Sequence, residues 1–107
     1  MKKLVFDVDG TVCSVTDGNY KEAIPFVSRI NKINKLFEEG NYITFHTARG
    51  MGRTNNNSQK ANELFYDLTK NQLNSWGVKF HELWLGKPSG DLYIDDKGVS
   101  DNEFFTN

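Results

Sequence analysis

Two hydrophobic rhythms alternate along the chain. Leu4, Val5, Phe6 and Val8 form a short apolar run that breaks into Asp7, Asp9, Gly10 and Thr11. A strand covered on both faces reads as such a continuous run, whereas a strand with one wet face alternates. From Pro25 the spacing changes: Phe26, Ile30, Ile33 and Phe37 recur on one helical face, and Gly40 supplies a stop. A second apolar run over 42–46 leads into a polar loop over 48–57 with Arg49, Gly50, Gly52, Arg53 and three consecutive asparagines. Asn57 or Ser58 can cap a second helix that turns Ala61, Leu64, Phe65 and Leu68 inward and ends near Gly77. Further strands are predicted over 80–85 and 91–94, and a short helix over 99–105 folds back on Phe104 and Phe105. Between the first strand and the first helix, Thr16-Asp17-Gly18-Asn19 marks the tip of a small flap over 12–20. Strands alternating with helices predict one α/β domain over 1–107, a parallel sheet in three layers with flanking helices.

The strand ends carry the chemistry. Two carboxylates closing an apolar strand are expensive to desolvate unless they face solvent, a cation or a reacting group. In open α/β sheets the ligand crevice lies at the carboxyl ends of the strands, where Asp7 and Asp9 fall. The second strand is followed by Thr47, the third by Lys87, and the predicted fourth by Asp95 and Asp96. Parallel strands would bring these groups to one edge of the sheet. Convergent carboxylates call for a hard divalent cation such as Mg²⁺. A lysine and a hydroxyl beside it suit a phosphoryl group, whose transfer depends on positioning and charge neutralisation.

Composition narrows the partners. A net charge of −1 leaves no electrostatic footprint for nucleic acid or an anionic membrane. No stretch is long enough to span a bilayer, and a single cysteine, Cys13, excludes an internal disulfide. With no hydrophobic leader at the start, a cytoplasmic location is expected.

Asp7-Val8-Asp9-Gly10-Thr11, Thr47, Lys87 and Asp95-Asp96 resemble the four motifs of the haloacid dehalogenase (HAD) superfamily of phosphohydrolases, in their usual order. The resemblance spans essentially the whole chain and implies a Rossmann-like, HAD-like core. Within the superfamily, 23–50 and Tyr93-Ile94-Asp95-Asp96-Lys97-Gly98 are similar to small phosphatases of capsule and surface-polysaccharide biosynthesis. Only 35 residues separate Thr11 from Thr47 and 39 separate Thr47 from Lys87, so the resemblance implies a member without a cap domain. It implies Asp7 as nucleophile, Asp9 as acid and base, Thr47 and Lys87 as phosphoryl contacts, and Mg²⁺ held by the Asp7 carboxylate, the Asp9 backbone carbonyl and Asp95, with Asp96 behind them. The substrate would be a small phosphate ester. Arg49 and Arg53 are the candidates to contact its anionic part, and a homo-oligomer could complete the uncapped pocket.

Each residue has a plainer reading as well. Lys87 before Pro88 fits a solvated loop, Asp95-Asp96 a turn, and Thr47 a local backbone cap. His46 is expected on the face of its strand opposite Thr47, as a structural or surface residue. The rival from another class is a receiver domain, a phospho-accepting signalling module with acids, threonine, lysine and Mg²⁺. There the acid pair is adjacent and follows the first strand, whereas here Val8 separates the pair and the doublet comes last.

Overall fold

The computed structural model describes residues 1–106. Its order is β1 (Lys3–Phe6), a single 3-10 turn (Tyr20–Glu22), α1 (Val27–Glu38), β2 (Tyr42–Thr47), α2 (Ser58–Ser75), β3 (Glu82–Leu85) and α3 (Asp101–Phe105). The strands form one parallel sheet, β1-β2-β3, with Phe6 level with Phe45 and Phe45 level with Leu83. Right-handed crossovers between strands added in one direction place both helices on one face of the sheet. Ile30 and Ile33 of α1, Leu73 of α2 and Phe6, Ile43, Phe45, Leu83 and Leu85 of the strands accordingly share one core. α3 closes that core at β1, where the rings of Phe104 and Phe105 lie 5.5 and 6.1 Å from that of Phe6.

The opposite face of the sheet is bare. Val5 and Trp84, which alternate with the core residues, are 67% and 57% exposed. The fold is therefore an α/β arrangement of two layers, not three, and its shortest extent of 21 Å agrees with that. The missing layer and the missing fourth strand have one cause. Residues 91–94 form no strand; 91–100 are exposed throughout, with Leu92 at 80% and Ile94 at 93%. Only the five residues 86–90 separate Leu85 from Asp91. Returning to the start of a parallel neighbour takes a crossover of roughly a dozen residues or more, usually a helix that would cover the second face.

Two boundaries and one helix face also differ from the sequence expectation. Phe26 N donates to Val12 O at 2.8 Å and Ser14 N to Ile24 O at 2.9 Å, so 24–26 stay extended against the flap. Pro25 therefore precedes the helix, which begins at Val27. Leu64 points outward at 58% exposure, because α2 buries Ala61, Thr69 and Leu73 instead. The third strand starts at Glu82, since the His81 imidazole occupies the Ile43 N–H at 3.0 Å. Other expectations meet the structure directly. Asn57 caps α2 by accepting from Lys60 N, Asp17 and Gly18 take the positive φ of the flap turn, and α3 rests on its phenylalanines. No described helix is long and apolar enough to cross a membrane.

Candidate active site at the ends of the strands

Phe6 and Val8 point into the core, so alternation turns Asp7 toward the bare face at the end of β1. Asp7 is half-buried, and that burial pushes its carboxyl upward from the ordinary aspartate range. Lys87 is the strongest influence in the other direction, followed by the Val8 backbone N–H; Asp9 raises the carboxyl and His46 lowers it. A cation near a partly desolvated carboxylate is what keeps such a group ionised. Lys87 is set in place from both ends: its backbone N–H donates to Thr47 O at 3.2 Å, and its ammonium lies 4.1 Å from the centre of the Tyr93 ring.

His46 belongs beside Asp7. One residue beyond the paired Phe6 and Phe45, Asp7 and His46 both follow onto the bare face, and each acts on the other's titration. Burial is the main cause that lowers the imidazole, with Lys87 acting in the same direction and Asp7 opposing. The alternation that separates His46 from Thr47 in sequence is the signal that joins it to Asp7.

Asp9 faces inward, and its environment was not readable from spacing. Arg49 Nε donates to Asp9 Oδ2 and Nη2 to Oδ1, both at 2.9 Å, a bidentate pair. Arg49 is 1% exposed, with Nη1 donating to Thr69 Oγ1 and Gln72 Oε1 and its guanidinium 4.8 Å from the Tyr20 ring centre. The residue proposed to meet a substrate is thus walled in behind Asp9. A buried guanidinium is tolerable only with a charge partner and satisfied donors, which a solvated loop could not give. Thr47 is also buried, and its Oγ1 accepts from Arg49 N at 3.1 Å. Cys13 closes the cluster: its Sγ is 3.5 Å from Asp9 Oδ1, and burial first, then Asp9, pushes the thiol up to about 12.

Arg53 remains exposed, but it bridges the flap and the loop. Its Nη2 donates to Gly18 O at 2.6 Å, and its guanidinium stands 4.7 Å from the Phe65 ring centre. Tyr20 adds a second latch: its hydroxyl accepts from Gly50 N at 2.8 Å, and its ring meets Phe65 edge-on at 4.9 Å. Gly50 is required here, since φ is +80° and a Cβ would come within 2.6 Å of the Phe65 ring. The polar loop is therefore pinned rather than free.

Asp95 and Asp96 stand apart from this group. Both are exposed, and Asp95 Oδ1 accepts from Lys97 N at 2.9 Å, the main cause that holds its carboxyl low. Among the described residues no three acidic, histidine or cysteine side chains gather as a metal site. One copy of the chain thus does not fit a Mg²⁺ centre, because the Asp95-Asp96 doublet does not join Asp7. Two grooves of about 390 and 480 Å³ lie away from Asp7, one against Tyr66, Phe80 and Trp84 and one against Leu68 and Gln72.

No family model and no curated protein matches the chain. A solved structure does: the crystal structure of an MCSG target from Vibrio cholerae is 30% identical, with a TM-score of 0.91 over 100% of this chain and 89% of that one. At that identity and coverage the chain belongs to the family of that Vibrio cholerae protein.

Proposed function

We propose that the protein is a phosphomonoester hydrolase of the HAD type, without a cap, acting through an aspartyl-phosphate at Asp7 on a small phosphorylated metabolite. The observation that carries the reading is Asp7 itself, a carboxylate at a strand end whose burial raises it while Lys87 acts against that rise. An Asp7 oxygen attacks phosphorus in line, forming one O–P bond as the ester O–P bond breaks. Lys87 offsets the charge on the phosphoryl oxygens. When one Arg49 hydrogen bond opens, Asp9 takes up a proton from solvent and passes it to the leaving oxygen. Water then attacks phosphorus, Asp9 accepts its proton, and phosphate leaves with Asp7 restored. Thr47 uses its hydroxyl oxygen as an acceptor, leaving its proton to donate to a phosphoryl oxygen. Mg²⁺ is part of the proposal on the condition that further carboxylates reach Asp7. The resemblance to surface-polysaccharide enzymes makes sugar phosphates the first esters to try.

The test is release of phosphate from p-nitrophenyl phosphate and a sugar phosphate panel with Mg²⁺. Asp7→Asn should lose turnover almost completely, while Asp9→Asn should accumulate phosphorylated protein from the aryl ester and release it slowly. Full activity in Asp7→Asn would refute the assignment. A wild type that takes one phosphoryl group and keeps it would favour the receiver reading.

A further inference from the structure

We propose that the exposed arm over 91–96 pairs with the free edge of β1 in a second copy of the chain, and that this exchange carries Asp95 and Asp96 to the partner's Asp7. The catalytic part of this inference rests on the hydrolase reading; the pairing does not. Four observations lead to it. β1 pairs with β2 on one side, and no described strand pairs its other side. An open edge is a template for another strand. The arm has a strand's composition, yet Leu92 is 80% and Ile94 93% exposed, an apolar surface with nothing over it. The arm cannot reach that edge as a parallel strand in its own copy, because 86–90 is too short a crossover. A second copy removes that restriction.

Register supplies the fourth. Setting Asp95 beside Asp7 also sets Asp91 beside Lys3, Leu92 beside Leu4 and Ile94 beside Phe6. One slip matches opposite charges at the start, apolar with apolar through the middle, and acids at the end. It also directs Leu92 and Ile94 to the core face, beside Phe6 and the α3 rings that pack on it, while Tyr93 follows Val5 on the bare face. The exchange is reciprocal, as a two-fold dimer requires. It gathers Asp7, Asp95 and Asp96 from two copies, the carboxylate set that one copy lacks.

The experiment is light scattering on the full chain and on Leu92→Asp/Ile94→Asp, whose exposed positions the single fold does not need. The wild type is expected at twice 12.2 kDa and the variant at 12.2 kDa with an unchanged circular-dichroism spectrum. A wild type at 12.2 kDa at every concentration, or a variant that stays dimeric, overturns the exchange. A second measurement mixes Asp7→Asn with Asp95→Asn chains after joint unfolding and refolding. Composite sites should restore roughly a quarter of wild-type turnover, since half the dimers are mixed and each holds one intact site. No recovery from the mixture, with wild-type chains refolded to full activity in the same way, places the acids in one copy and overturns the exchange. A dimer that the arm variant dissociates but that hydrolyses nothing leaves the pairing standing and refutes the hydrolase reading.

Discussion

Burying a guanidinium costs several kcal/mol unless its donors and its charge are met. Arg49 meets both, through Asp9, Thr69, Gln72 and the Tyr20 ring, so the two halves of the acidic pair have separate surroundings. Arg49→Met leaves Asp9 without its partner in the interior and is expected to cost about 3–5 kcal/mol. Arg53→Met loses an exposed bond and is expected to cost less than about 1 kcal/mol. Urea midpoints of the two variants read that contrast, and equal losses would mean that Arg49 is not the anchor. Asp7 gives the pH prediction. Burial raises its carboxyl and Lys87 restrains that rise, so Lys87→Met should raise it further. A higher pKa keeps the carboxyl protonated to higher pH. The acid limb of kcat/KM should therefore move upward in pH, and the Asp7 carboxyl resonance should follow in a carbon NMR titration. A titration unmoved by the substitution would separate Lys87 from Asp7.

At the scale of elements, periodicity was enough wherever a segment's structure depends on its own residues. The apolar spacing of Ile30 and Ile33, the Asn57 cap and the Asp17-Gly18 turn each carry their signal within a few positions. The arm shows where that signal stops. Leu92-Tyr93-Ile94 satisfies a strand pattern as well as Leu83-Trp84-Leu85 does, and what separates them is the length of chain that precedes each. Connection length is legible in the sequence, but only after the strand order is known. Arg49 lies beyond the reach of pattern for another reason. Its partner Asp9 is 40 residues away, and the glycines and asparagines around it describe a loop without revealing that Tyr20 and Phe65 pin that loop to the flap. His46 was readable in principle, since strand alternation and the level of Asp7 fix its face once the register is set.

For the whole molecule, a two-layer domain of 107 residues has one sheet face in water and a small core to hold it together. Single domains of this size retain only about 5–15 kcal/mol of stability, so apolar surface at Leu92 and Ile94 is a large unused reserve. Exchange of arms would draw on that reserve, and it would couple folding to concentration. Anything that binds only the native state stabilises it by mass action, and in a dimer that partner is a second copy. A tenfold rise in concentration adds about 1.4 kcal/mol per dimer, half of that per chain. In a domain near 100 residues this corresponds to a rise of roughly 3–5 °C in Tm. Calorimetric scans over a hundredfold range of concentration should show that rise twice over in the wild type. Leu92→Asp/Ile94→Asp, which keeps the single fold but loses the strand's apolar side, should melt at one temperature throughout. A wild-type midpoint independent of concentration would mean that the arm stays in water, and that the stability of the chain is that of a single copy.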